Sequence, residues 1–393
     1  MLTQYDEYPV HQSSYPFSEI PSTDYAWCDG YFFGLYSADE QVFFFSGMRV
    51  NPNTDMIGGY AGVSVAGRQY TARFSRPWRA HVDTSIGPLV YDFVEPLKRI
   101  RLALGPNDSD LTFDYDWIGV GACYEEPHHL AWSRGRRTTD QTRYYQSGTA
   151  SGWIQLEDKR WNLKEMEWFG SRDHSWGLYA NRAPLTPEGK WIPPAETPAV
   201  RQGMRWASWW GSPDNSGFYS VHESQDGQQL QMNDVFGTPL EGGIDFGLDG
   251  PQRKLIAASH ELEFVADTRL LSKGTWHLTD DAGGKWKQVY TPASPGWNPV
   301  TIGYGGGSWK DGGSMYTYHG VDDLVQEWDD FDFATQPYDH TLYDGVQMRG
   351  AHNPEYLAKV VTTAPDGTQS VGSSHIEIFI PGRYDPYDFR DPE

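Results

Sequence analysis

Leu111, Phe113, Tyr115 and Trp117 alternate with Thr112, Asp114 and Asp116. In an extended chain this spacing puts one set on each face of a sheet, whereas a helix would scatter both around its axis. The same period recurs in Ile100, Leu102 and Leu104 against Arg99, Arg101 and Ala103, and in Ile376, Ile378 and Ile380 against His375, Glu377 and Phe379. Helical periodicity is scarce, and residues 161–168 read as either a short helix or a twisted strand. Asp226-Gly227 and Asp366-Gly367 fall between candidate strands and favour the positive φ of tight hairpins. An all-β chain of antiparallel meanders follows, and closing such meanders into barrels removes their exposed edges.

A chain of 393 residues is too long for one small barrel and comfortable for two domains. Pro184, Pro187, Pro193, Pro194 and Pro198 mark a stretch with no alternating apolar pattern, as expected of a stiff connection. The expected division is residues 1–182, a connection at 183–203, and residues 204–393. A short echo at an offset of 187 residues, Gly30-Tyr-Phe with Asp39-Glu-Gln41 against Gly217-Phe-Tyr with Asp226-Gly-Gln228, is in keeping with duplication.

The net charge of −22 repels phosphate backbones and anionic membrane surfaces, so nucleic acid is not an expected partner. The short basic run Arg134-Gly-Arg-Arg137 reads as a solvated loop. Met1-Leu-Thr-Gln-Tyr-Asp-Glu-Tyr8 lacks the basic and apolar regions of a secretion signal, and no run is long and apolar enough for a spanning helix. The expectation is a cytoplasmic protein without stable membrane insertion; the oligomeric state is left open.

The densest chemistry lies in Gly170-Ser-Arg-Asp-His-Ser-Trp-Gly177. If this segment is extended, Arg172, His174 and Trp176 share one face, and Asp173 and Ser175 share the other. Either Asp173 orients His174, which then acts as acid or base, or Asp173 is itself the acid, kept neutral in an apolar cavity. A third reading is structural: Arg172 and Asp173 clasp a barrel end. Arg172, Trp176, Tyr179, Trp206, Trp209, Trp210, Tyr219 and His222 are the candidates for a substrate lining.

The run Gly170–Gly177 resembles the signature of the AttH-like and carotenoid 1,2-hydratase (hydroxyneurosporene synthase) superfamily. Arg143-Tyr-Tyr-Gln-Ser-Gly148 and Gly152-Trp153 resemble the same superfamily's lead-in. Arg73-Phe-Ser-Arg-Pro77, Gly87-Pro-Leu89 and Glu95-Pro-Leu97 resemble segments of uncharacterised relatives. The resemblance implies two lipocalin-like barrels packed together, handling apolar polyenes without a redox cofactor. His174 and Trp176 match the hydratases' His-x-Trp pair. Their Tyr-x-Asp pair has no clear counterpart; Tyr219-Ser-Val-His222 lacks the carboxylate.

The expected function is a cofactor-independent hydratase, isomerase or cyclase for a terpenoid, steroid-like or polyene substrate near the domain junction. A non-catalytic carrier of a small hydrophobic ligand is the alternative, and a sugar-stacking module is a third reading. Neither a cofactor nor a metal is expected. Glu125-Glu-Pro-His-His129 reads as a loop, Asp329-Asp-Phe-Asp332 as solvated acidic surface, and Gly305-Gly-Gly307 as a turn. His352 and Glu355 are placed by the echo where they could face the first-half site.

Overall fold

A computed structural model describes residues 7, 9, 13–78, 83–133, 135–179, 202–230, 240–293, 297–303, 308–320, 324–333, 339–341, 343, 347–349 and 355–390. The connection expected at 183–203 therefore falls almost wholly outside the described residues, as do Gly305–Gly307 and His352.

The strands of the first half are β1 (Trp27–Ser37), β2 (Val42–Asn51), β3 (Met56–Val65), β4 (Arg68–Pro77), β5 (Ser85–Ile86), β6 (Leu89–Glu95), β7 (Arg99–Leu104), β8 (Leu111–Gly119), β9 (Tyr124–Glu125), β10 (His129–Ser133), β11 (Arg136–Leu156), β12 (Lys159–Leu163) and β13 (Phe169–Tyr179). Then follow β14 (Met204–Gly211), β15 (Ser216–Glu223), β16 (Leu240–Asp245), β17 (Gln252–Phe264), β18 (Leu271–Asp280), β19 (Lys285–Pro292), β20 (Val325–Asp332), β21 (Asp339–Thr341), β22 (Gln347–Arg349), β23 (Glu355–Thr363) and β24 (Gln369–Phe379).

The all-β architecture is present, built of two large antiparallel sheets that differ in closure. Strands β14 to β19 with β23 and β24 form a closed antiparallel barrel of eight strands. The first half is a curled sheet in the order β20-β4-β3-β2-β1-β13-β11-β8-β7-β6-β5, not a hydrogen-bonded ring. Its edge strand β20 comes from far along the chain and pairs with β4. The residues expected to be solvated acidic surface are thus a paired strand, and its Glu327 and Asp329 meet the fully buried guanidinium of Arg73.

The alternation at 111–119 is realised as written. Phe113, Tyr115 and Trp117 are buried in the concave core with Phe33, Phe44 and Tyr91. Asp114 and Asp116 point outward and pair with Arg101 at 2.8 Å and Arg99 at 2.5 Å. The barrel core holds Trp206, Trp210, Tyr219, Trp276 and Tyr290. Of the ambiguous residues 161–168, 161–163 end a strand and 164–168 form a turn with an isolated bridge between Glu165 and Trp168, so no helix forms there. Between the halves lie two aromatic clusters. One joins Tyr36, Phe43, Phe45 and Phe169 to Trp297 and Leu357; the other joins Tyr145 to Trp209 and Phe218. Burying such rings removes large apolar areas from water, which stabilises the contact by roughly 25 cal/mol per Å².

Candidate functional site

Strand β13 lies between β1 and β11 near the middle of the curled sheet. Its register sets Arg172 opposite Phe33 and Gln146, Asp173 opposite Phe32 and Tyr145, and His174 opposite Tyr31 and Tyr144. Neighbours across a strand point the same way, so residues adjacent in sequence part company. Arg172, His174 and Trp176 belong to the concave face. Asp173 and Ser175 belong to the face that packs on the barrel.

On the concave face the His174 ring is held on several sides. Its Nε2 donates to Asp29 Oδ1 at 2.7 Å. Tyr31 stacks on it at 4.0 Å, while Trp176 at 4.9 Å and Tyr144 at 5.5 Å close other directions. Nδ1 has no hydrogen bond among the described residues. The carboxylate on His174 is therefore that of Asp29, not Asp173: the two neighbours sit on opposite faces, beyond each other's reach. Asp29 and Trp176 are substantially exposed, so the dyad is at an accessible end of the curl.

Arg172 lies deeper, at 1 % exposure. It makes no clasp with Asp173, again because of alternation. Nε and NH2 donate to Gln146 Oε1 at 3.0 and 2.8 Å, and NH1 donates to the Tyr144 hydroxyl at 3.1 Å. Its guanidinium also lies 5.1 Å from the Trp117 and Tyr144 ring centres. No carboxylate pairs with it among the described residues. Burial raises the Tyr144 pKa and Arg172 opposes that rise, so the phenol stays protonated and polarised.

On the opposite face, Asp173 looks towards a second set of charges. Glu355, His375 and Glu377 place one ligand atom each within 4.8 Å of one another, a grouping with the chemistry to hold a cation. Arg205 already pairs with Glu377 at 2.9 Å, and His375 Nε2 lies 2.9 Å from Glu355. Burial raises the Glu355 pKa to about 8, against the pull of Arg205 and with a contribution from Asp173. Burial lowers that of His375 to about 4. The pair is thus neutral, and Trp209 stacks on the His375 ring at 5.0 Å.

The remaining candidates divide between these places. Trp206 and Tyr219 are inside the barrel, where the Tyr219 hydroxyl donates to that of Tyr290 at 3.2 Å; Trp210 is there too. Trp209 faces the junction, and His222 faces outward from the barrel opposite Arg205 in the ladder. Tyr179 ends β13. The candidates thus form no single lining. Sequence reading missed Asp29, Tyr31 and Tyr144, because only the strand register brings them to His174. It also passed over His375 and Glu377, although their alternation with Ile376 and Ile378 was in plain view. Glu126 and His129 pair with each other at 2.8 Å.

A family model described as a family of unknown function, DUF8625, matches residues 2–340. No curated protein matches the chain. Among solved structures it is similar to kievitone hydratase from Nectria haematococca, at 10 % identity and a TM-score of 0.46, covering 97 % of this chain and 96 % of that one. It is similar to CghA with Sch210972 at 9 % identity and a TM-score of 0.45, covering 90 % and 88 %. It is also similar to an AttH-type protein from Nitrosomonas europaea at 11 % identity and a TM-score of 0.45, covering 89 % and 92 %.

Proposed function

This chain belongs to DUF8625, a family of unknown function, and we propose that it is a cofactor-independent acid–base enzyme for an apolar terpenoid, steroid-like or polyene substrate. His174 moves the proton and Asp29 orients it. The observation that carries this reading is the dyad itself: an imidazole fixed by a carboxylate on Nε2, packed among aromatic rings, with Nδ1 left over for a substrate. Such a group is pre-oriented for proton transfer, worth typically 10²–10⁴-fold in rate.

Arg172 bears on which reaction of this class fits. A buried guanidinium with no carboxylate on it among the described residues opposes a free carbocation nearby and favours charge of the other sign. The Tyr144 hydroxyl accepts from Arg172 and keeps its own proton to donate. Together they suit a carbonyl oxygen that becomes an enolate. His174 Nδ1 takes a proton from the carbon beside that carbonyl, the electron pair moves onto oxygen, and the same N–H returns the proton to another carbon. Isomerisation, or a cyclisation activated through a carbonyl, fits better than hydration of an isolated alkene.

The test is a panel of polycyclic β,γ-unsaturated ketones and isoprenoid enones incubated in D₂O, with deuterium entry and product followed by mass spectrometry. The expected result is turnover by the wild type that falls at least about 100-fold in His174→Ala and in Tyr144→Phe. Tight binding of the panel without conversion would instead establish the carrier reading.

A further inference from the structure

The barrel carries a second polar cluster that the proposed reaction does not use. Glu223 ends β15 and His260 lies on β17, both on the inward-facing set of their strands. His260 Nε2 donates to Glu223 Oε1 at 3.1 Å, and the Tyr384 hydroxyl donates to Glu223 Oε2. The Tyr387 hydroxyl lies 3.0 Å from His260 Nδ1 and accepts the Leu262 N–H at 2.8 Å. Both tyrosines come from the segment after β24, which the 3-10 turn Asp385–Tyr387 folds over this end of the barrel.

Among the described residues, β16 pairs with β17 at residues 252–254, and the Gln229 side chain donates to the Ala258 carbonyl oxygen further along β17. A cavity of about 540 Å³ lies beside this cluster, walled by Glu223, His260, Leu262, Tyr384 and Tyr387, with the exposed Glu261 on its rim. That volume is in the range of small-molecule sites.

The charge of this cavity is one-sided. Glu223 is 5 % exposed; among the described residues its basic partner is His260, and no Lys or Arg pairs with it. No Lys or Arg lines the cavity. The neighbouring cations are committed elsewhere, Lys273 to Glu263 and Arg383 to Asp385. Burial and the adjacent Glu223 push the Tyr384 pKa up, so this hydroxyl keeps its proton and donates it to the carboxylate. Aromatic faces attract cations through the ring quadrupole. The Tyr384 hydroxyl is occupied by Glu223 and that of Tyr387 by His260 and the Leu262 N–H, which leaves little to recognise a sugar, and two glutamates repel an anion.

We propose that this cavity binds an organic ammonium ion with an apolar body, with Glu223 as counter-charge and Tyr384 and Tyr387 as the aromatic wall. Titration calorimetry on the full chain tests this with three probes: benzyltrimethylammonium, its neutral isostere neopentylbenzene, and phenylacetate. The expected result is binding of the ammonium ion alone, weakened about tenfold or more in Glu223→Gln and two- to threefold in Glu261→Gln on the rim. Tyr387→Leu, which removes a ring and no charge, is expected to weaken binding about fivefold and serves where Glu223→Gln fails to fold. The proposal is overturned if the isostere or phenylacetate binds as tightly, if the ammonium ion does not bind at millimolar concentration, or if a folded Glu223→Gln or Tyr387→Leu keeps full affinity.

Discussion

At the residue scale, the two faces of one strand carry two kinds of acid–base chemistry. Asp29 and His174 form an accessible hydrogen-bonded dyad, while Glu355 and His375 form a neutral pair at the junction. The second pair governs stability. The folded Glu355 pKa is above its ordinary value, so its contribution is complete below about 4.5 and is lost as pH rises through about 8. Glu241, raised to about 8 by burial and Glu126, acts in the same direction. His375 is depressed, so its contribution is present above about 6.5 and lost as pH falls through about 4. Above pH 6.5 the His375 contribution is constant while those of Glu355 and Glu241 decline, and thermal stability should fall as pH rises to about 8.5. Glu355→Gln, which mimics the protonated carboxyl, should flatten that slope and raise Tm at the alkaline end. An unchanged slope would show that Glu355 is ionised in the folded protein. Little of this was legible beforehand. Period two places Arg172, His174 and Trp176 together from sequence alone, but Asp29 is 145 residues from His174, and no local pattern encodes that pairing.

At the scale of elements, β13 and β20 show where local pattern stops informing. Gly177 takes φ +120°, and a Cβ there would stand 2.2 Å from the Asp140 carbonyl oxygen across the ladder. The glycine that closes the motif therefore permits close approach of β11, with no slip in register. Gly177→Ala should cost about 2–4 kcal/mol in urea unfolding, combining strain and displacement of the neighbouring backbone. Strand β20 reads as acidic surface because its charges outnumber its apolar residues. Its role follows from Arg73, which lies buried on β4 and donates to Thr301 O at 2.9 Å as well as to β20. Arg73→Met leaves those carboxylates without their cation and should destabilise the fold by about 3 kcal/mol. A loss well under 1 kcal/mol would mean that β20 holds its place by ladder hydrogen bonds alone.

At the scale of the whole molecule, the all-β class was legible because alternation and turn residues repeat along the entire chain. Which half closes was not, since closure depends on the first and last strands meeting. β14 and β24 meet, whereas β5 and β20 end the other sheet. The junction ties the halves together through aromatic clusters, through Tyr36 donating to Trp209 O at 3.3 Å, and through Ala38 N–H donating to Ser373 at 2.9 Å. Urea unfolding followed by tryptophan fluorescence and by far-UV circular dichroism should therefore give coincident transitions; two separated transitions would mean that the halves unfold independently. The proposed chemistry depends on which carboxylate serves His174, and one comparison decides it: the turnover number of Asp29→Asn beside Asp173→Asn on the same ketone substrate. The account predicts a loss of about 100-fold or more for Asp29→Asn with KM little changed, and less than about threefold for Asp173→Asn. The opposite ranking would contradict it and move the reaction to the junction face.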